Sequence, residues 1–357
     1  MKKLFAFAAF AAAVSLAASC EKSGESVFTE ALTGPARISL SISGNTATKA
    51  TVAGTDSENA IGSVDVFVFF KGGEYDGRLD AYARFASAPY DLNATTGDRE
   101  IYVLVNSEQD ADVLAAVSDK ASLLSLGATL AAQKDASGNP GNFCMTGSVI
   151  RSEATANALV AGVNNITVKV SRMVSRVRVL KISRDFESSA LAGQSFSIDA
   201  VYLSNGVTSD LYGSGFVPAA DDFANKLGVQ DAAYDKWYYR PVGVNLANEA
   251  EKQMDDASFS LYTMPNPIDT DSEEKPFTVR NTKLVVKAAL NGKTVYYVIP
   301  LGTLESNTSY DIANLVITRP GSSDPEKKTE LASCEFSIEV NPWTVVPLET
   351  ETGKYVI

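Results

Sequence analysis

The sequence predicts a mainly β protein of two β-sandwich domains with minor helices. Three observations predict it. Apolar and polar residues alternate with a period of two in run after run, the first at Ile38–Ser43 and the last at Cys334–Val340. Asn291-Gly292 separates two such runs, a strong signal for a two-residue hairpin. The chain has 357 residues, 45% hydrophobic and 21% charged, enough to bury two cores of ordinary size.

The first residues read as a leader. Lys2-Lys3 form a charged start, and Leu4 to Leu16 is an apolar run too short to span a bilayer well. Ala17-Ala18-Ser19-Cys20 follows, small residues directly before a cysteine, as in a bacterial lipobox. Ala17 stands where a larger aliphatic residue is usual. Cys20 would carry the lipid and become the mature N-terminus; the alternative is a plain signal peptide with Cys20 as a bystander. Residues 20–35 are polar and mixed, a tether reaching about 50 Å when extended.

In Ala36–Ala50, Ile38, Leu40 and Ile42 alternate with Ser39, Ser41 and Ser43. This is a strand with one apolar and one hydroxyl face. Gly44-Asn45 ends it, and the polar loop beyond holds one basic residue, Lys49, before Ala50. A trypsin-like protease cutting there would release the whole strand. The plain alternative is an ordinary edge strand and a surface lysine. Arg37 is the other basic candidate, but a cut there leaves the strand attached.

Ile61–Phe70 reads as a strand buried on both faces, with a turn at Lys71-Gly72-Gly73. Leu79–Phe85 and Ile101–Val105 are further strands. Asp110–Val117 and Lys120–Gln133 have helical spacing. Asn165–Val170 and Val174–Ile182 are strands. In the second of these, Arg172, Arg176, Arg178 and Lys181 interleave with apolar residues, which reads as a solvated face pairing with nearby carboxylates. The domain boundary is placed at Ser171–Arg172, giving domains 36–171 and 172–357. Later strands are expected at Phe196–Leu203, Ser258–Thr263, Phe277–Leu290, Lys293–Leu301, Tyr310–Thr318 and Cys334–Val340. Helical pieces are expected at Ala219–Leu227 and Asp231–Tyr238. Pro342 should break the last ladder, since it offers no N–H, and Trp343 should anchor the exit of the chain. Beyond it, Val345, Val346, Leu348, Tyr355, Val356 and Ile357 are apolar residues scattered among Thr and Glu. They form either a final hairpin on their own domain or a segment for a neighbour.

The charge is unfavourable for nucleic acid: formally -12, and two units lower without Lys2 and Lys3. The chain contains no histidine, which excludes histidine triads, imidazole metal sites and histidine bases. Cys144 and Cys334 lie far apart in strand-like contexts, without CxxC spacing, and read as buried free thiols rather than a disulfide. The acidic run Asp269–Glu274 lacks the glycine and closing glutamate of a calcium loop. Trp237-Tyr238-Tyr239 suits core packing better than sugar stacking. No phosphate loop or nucleophile elbow is present, so no enzyme, cofactor or metal is expected.

Several stretches together resemble the FimA-type major fimbrillins, pilins of the Bacteroidetes type V pili. These are the lipobox, the alternating strand and its basic loop, IYVLVNS (Ile101–Ser107), FCMTG (Phe143–Gly147), VKVSRMVSRVRV (Val168–Val179), NTSYDIANLVITRPGSSDPE (Asn307–Glu326) and VNPWTVV (Val340–Val346). The resemblance implies two transthyretin-like, Greek-key sandwiches. It further implies export as a lipoprotein through Cys20 to the cell outer membrane, and removal of the first strand (within residues 36–49) by a surface protease. The emptied groove would be filled by a C-terminal strand (344–357) of the next copy or of a related pilin, giving a head-to-tail fimbrium that supports adhesion. Lys49 stands where the family has arginine, so the protease must tolerate lysine. The other readings are an uncleaved surface lipoprotein serving as pilus anchor or glycan- or protein-binding module, and a surface carboxylate enzyme.

Overall fold

The computed structural model describes residues 34–44, 52–254, 259–270, 280–329 and 334–344. These lie in the unit Thr33–Ile357; the other unit, Met1–Leu32, falls outside the described residues.

The alternating first run forms β1 (Pro35–Gly44), and the chain returns at the short β2 (Val52–Ala53) and the four-residue helix α1 (Asp56–Asn59). There follow β3 (Val64–Phe70), β4 (Leu79–Phe85), β5 (Tyr90–Thr95) and β6 (Arg99–Val105), then helices α2 (Ala111–Ala115) and α3 (Lys120–Leu124). Next come β7 (Gly127–Thr129), β8 (Met145–Arg151) and β9 (Gly162–Arg172). Seven of these strands make one sheet in the order β4-β3-β6-β8-β9-β1-β5. β3 is buried on both faces, as its mostly apolar run predicts, with Asp65 the one charged residue enclosed. The sheet curls until its outer strands meet: Thr95 of β5 bonds the Asp80 carboxylate of β4 through its N–H and its hydroxyl, both at 2.9 Å. The curl encloses an aliphatic core of Ile38, Val66, Ile101, Val103, Ile166 and Val168, among others.

The second half supplies β10 (Ser175–Val179), β11 (Lys181–Arg184), α4 (Ser189–Ala192), β12 (Phe196–Ser204), β13 (Gly206–Val207), β14 (Ser209–Leu211) and β15 (Phe223–Ala224). It continues through α5 (Asp235–Tyr238), β16 (Tyr239–Asn245), β17 (Ala250–Gln253), β18 (Ser260–Thr263), β19 (Lys283–Leu290) and β20 (Lys293–Pro300). It ends with β21 (Thr308–Ile312), β22 (Leu315–Ile317), β23 (Cys334–Glu335) and β24 (Ile338–Thr344). Three larger sheets result, β18-β10-β21-β24-β2, β17-β11-β22-β23 and β16-β12-β19-β20, beside the two-stranded pairs β13-β15 and β14-β7. Their inner faces share one core through Val177, Ile182, Ile198, Val286, Ile299 and Ile312. The β19–β20 hairpin turns at Asn291 and Gly292, with φ of 49° and 77°, the left-handed pair that a tight hairpin turn needs.

Several expectations change; the strands expected at Tyr310–Thr318 and Cys334–Val340 each divide between two sheets, as β21 and β22 and as β23 and β24. The helix expected over Lys120–Gln133 stops at Leu124, because Gly127–Thr129 pairs instead with Ser209–Leu211. Gly127 is needed there: a Cβ would strike the Asp210 carbonyl. The strand expected over Val174–Ile182 divides at Leu180, whose N–H bonds the Ile312 carbonyl at 2.9 Å, and its two parts enter different sheets. Ala219–Leu227 forms two 3-10 turns separated by β15 rather than one helical piece. The last strand runs through Pro342. The Trp343 N–H points inward to the Asn307 carbonyl (3.0 Å), so the Pro342 nitrogen faces the opposite edge and its missing N–H takes no bond from the β21 ladder.

Candidate functional site

β1 sits inside its sheet, not at an edge. It pairs in parallel with β9 from Ala36↔Gly162 to Gly44↔Val170 and antiparallel with β5 from Pro35↔Thr95 to Leu40↔Tyr90. Both rows of its backbone groups are therefore engaged up to Leu40, and the row facing β9 alone from Ser41 to Gly44. Ala36, Ile38 and Leu40 point into the aliphatic core, Ile38 with no exposure at all, and Ile42 packs at its margin. The other face carries Arg37, Ser39 and Ser41. There Arg37 Nη2 meets Asp91 of β5 at 2.9 Å. Hydrogen bonds from Ser39 and then Arg37 hold the Asp91 carboxyl below the usual range. Withdrawing β1 would leave a slot bounded by strands on both sides and floored by aliphatic side chains. Burial of each large aliphatic residue is worth about 1.5–3 kcal/mol, so such a slot is a strong acceptor for another alternating strand.

β1 ends at Gly44. Lys49, the expected cleavage position, lies outside the described residues, between β1 and β2. On returning, β2 pairs in parallel with the end of β24, Val52↔Trp343 and Ala53↔Thr344. Thr55 then starts α1 with a capping box: its hydroxyl accepts from the Glu58 N–H (3.4 Å), while the Glu58 carboxylate accepts from its N–H (2.5 Å).

That cap aims Glu58 into a buried junction. Glu58 is 1% exposed, Arg176 2% and Arg172 0%. Arg176 Nη1 contacts both Glu58 oxygens at 3.1 and 3.2 Å, and the Tyr262 hydroxyl donates to Oε1 at 2.7 Å. Arg172 donates from Nε to the Glu58 carbonyl (3.0 Å), from Nη1 to the Trp343 carbonyl (3.1 Å) and from Nη2 to Asn59 Oδ1. Both guanidinium groups stack on the Trp343 ring, at 4.2 and 4.3 Å from its centre. Two cations thus lie beside one carboxylate, which of the pair only Arg176 contacts directly, and the indole face offsets the surplus charge. Burial pushes the Arg172 pKa down to about 10, with Glu58 opposing.

The expected solvated basic face is therefore half correct. Arg178 and Lys181 are partly exposed and reach the carboxylates of Asp311, itself buried (2.5 Å), and of the exposed Glu251 (3.0 Å). Arg172 and Arg176 are core residues. Burial by itself would raise the Asp311 pKa, but hydrogen bonds from Arg178 and Ser309 outweigh it and the net shift is downward. No sequence signal pointed to Glu58 as their partner. The nearest was the Thr55–Glu58 capping spacing.

The remaining candidates are placed as follows. Trp237 and Tyr238 are buried, and the Tyr238 hydroxyl donates to the Val207 carbonyl at 2.7 Å, so neither ring offers a face to a sugar. Cys144 and Cys334 are buried and unbonded to each other, and burial raises both thiols, Cys334 to about 11. Among the described residues no acid or cysteine cluster is placed to hold a metal ion, and no helix is long and apolar enough to cross a membrane. Cys20 and the donor candidates Val345, Val346, Leu348, Tyr355, Val356 and Ile357 lie outside the described residues.

Residues 36–175 match the family model of the major fimbrial subunit protein, FimA. The match begins at β1 and ends at Ser175, so it takes in the whole curled sheet. None of the curated proteins matches the chain. Among solved structures, a candidate cell adhesion protein from Bacteroides eggerthii is similar with a TM-score of 0.60 and 17% identity, over 88% of this chain and 98% of its own. The fimbrilin FimA from Porphyromonas gingivalis is similar at 0.58 and 14%, over 88% and 98%. A C-terminally truncated tip fimbrial protein from Porphyromonas gingivalis is similar at 0.50 and 13%, over 87% and 100%. At these identities the likeness is one of fold, and it extends well beyond the residues that the FimA model covers.

Proposed function

We propose that this protein is a structural subunit of a surface fimbria that polymerises by strand exchange. In this reading Cys20 carries the lipid that delivers it to the outer membrane surface. A lysine-tolerant protease cuts after Lys49 and β1 departs. The segment 344–357 of another copy, with Val345, Val346, Leu348, Tyr355, Val356 and Ile357 as its apolar residues, then takes the vacated place. The division into domains 36–171 and 172–357 is part of the proposal. It is supported by the origin of the seven-stranded sheet, whose strands all come from Pro35–Arg172.

The observation that carries the reading is the position of β1. It is an inner strand with apolar contacts to the core, yet it is joined to the rest of the chain at its C-terminal end only through the stretch containing Lys49. One cut severs the connection without touching any other strand of the sheet. The vacancy is directional, because an incoming strand must run parallel to β9 and antiparallel to β5 to reproduce the hydrogen bonds of β1. Contacts between different faces of identical subunits extend without closing, which suits a filament.

N-terminal sequencing of protein sheared from cells tests this reading. A start at Ala50 supports it. A start at Ile38 means that β1 is retained, and a lipidated Cys20 on the sheared filament protein means that no activating cut occurs. Lys49→Ala should leave a folded, lipidated monomer; filaments of that variant would contradict the assigned cut.

A further inference from the structure

The buried junction around Trp343 has a place in the chain that the proposed function leaves unused. Trp343 is the penultimate residue of β24, and residues 345–357 follow directly. Its side chain is fully buried, whereas Val340 on the same strand is 59% exposed. Beyond the reach of β2, the outer edge of β24 has no neighbouring strand among the described residues. The hold on this strand is therefore concentrated at its C-terminal end. There the indole lies against two guanidinium groups and stacks on the Tyr262 ring at 6.0 Å, while the backbone is gripped on both sides, N–H to Asn307 and carbonyl by Arg172.

The membership of the junction matters as much as its chemistry. Glu58, Asn59, Arg172, Arg176, Tyr262 and Trp343 all lie after Lys49, and none belongs to β1. Gly54 fits against it so closely that a Cβ would stand 2.5 Å from Arg172 Nη2. The stretch that becomes the new N-terminus after the cut is thus seated on the same strand end from which the C-terminal segment leaves. Losing β1 removes an entire strand of the curled sheet but no member of this cluster.

We infer that the Glu58–Arg172–Arg176–Trp343 junction is the mechanical anchor of the C-terminal segment, the point where tension delivered by a second copy of this chain enters the fold. This rests on the reading that the segment inserts into that second copy. A pull on residues 345–357 reaches β24 at Thr344 and Trp343 first. The strand peels from β21 bond by bond only after the junction opens, and the junction combines stacking, charge and hydrogen bonds on one buried residue.

Amide hydrogen exchange on the uncut full-length chain tests the anchor without any filament. Trp343→Phe and Arg172→Lys, the milder pair in case truncation unfolds the protein, should speed exchange at Trp343 and at Thr308–Ile312 by roughly tenfold or more. Amides of β3 and β6 should keep their rates. No change, or an equal rise everywhere, overturns the inference. The second arm shears filaments of the same variants at graded force. Shorter filaments at forces that leave the wild type intact are expected, and unchanged lengths overturn the inference. If deleting Leu348–Ile357 leaves polymerisation unimpaired, the donor reading fails instead, and the exchange result still stands on its own.

Discussion

The β1 seat and the Trp343 junction meet at the same stretch of chain, one before the presumed cut and one after it, and they are built from opposite materials. The seat uses aliphatic side chains at every second position and main-chain hydrogen bonds on both sides. Any strand of similar pattern can satisfy it. The junction uses one carboxylate, two guanidinium groups and one indole in a single arrangement. Nothing of generic pattern would replace it. A generic interface suits a strand that must be given up and replaced; a specific one suits a connection that must persist.

The largest effect that should separate them comes from Glu58→Ala. It leaves the buried Arg176 guanidinium without its carboxylate partner, a change worth about 3–5 kcal/mol, measured by denaturant unfolding. The loss should be the same in the uncut chain and in chain starting at Ala50 whose seat has been refilled. Ile38→Ala should cost about 2–5 kcal/mol in the uncut chain and nothing once β1 is gone. An Ile38→Ala penalty that survived the cut would show that the strand never leaves. A smaller, pH-dependent effect is expected at Arg178–Asp311. The folded-state pKa of Asp311 is depressed, so its contribution is complete above the unfolded value and is lost as pH falls through the folded one. Stability of the wild type should therefore decline in that acidic window more steeply than that of Asp311→Asn.

The difference in materials also explains what could be read from the residues. β3, β4 and the β19–β20 hairpin stand where their sequence patterns put them, because runs of strand-forming residues and Asn-Gly turn chemistry are local signals. The alternation in Ile38–Ser43 identified a strand but not its two neighbours, since pairing with Gly162–Val170 is a matter of topology. Arg172 and Arg176 were legible only as members of an amphipathic-looking strand. Their burial depends on Glu58, more than a hundred positions earlier, and on Trp343 at the far end of the chain. Lys120–Gln133 has helical spacing throughout, and the strand Ser209–Leu211 overrides it from Gly127 onward. Lipidation at Cys20, the cut at Lys49 and the donor role of Val345–Ile357 rest on pattern and resemblance.

The central claim is that the seat of β1 is where subunits join. A synthetic peptide of Pro35–Gly44, added in excess to freshly cut protein, tests it most directly. The account predicts that the peptide binds and that SDS-resistant ladders disappear, while a control peptide with Ile38 and Leu40 replaced by Asp leaves them unchanged. Undiminished ladders in the presence of bound peptide would contradict it.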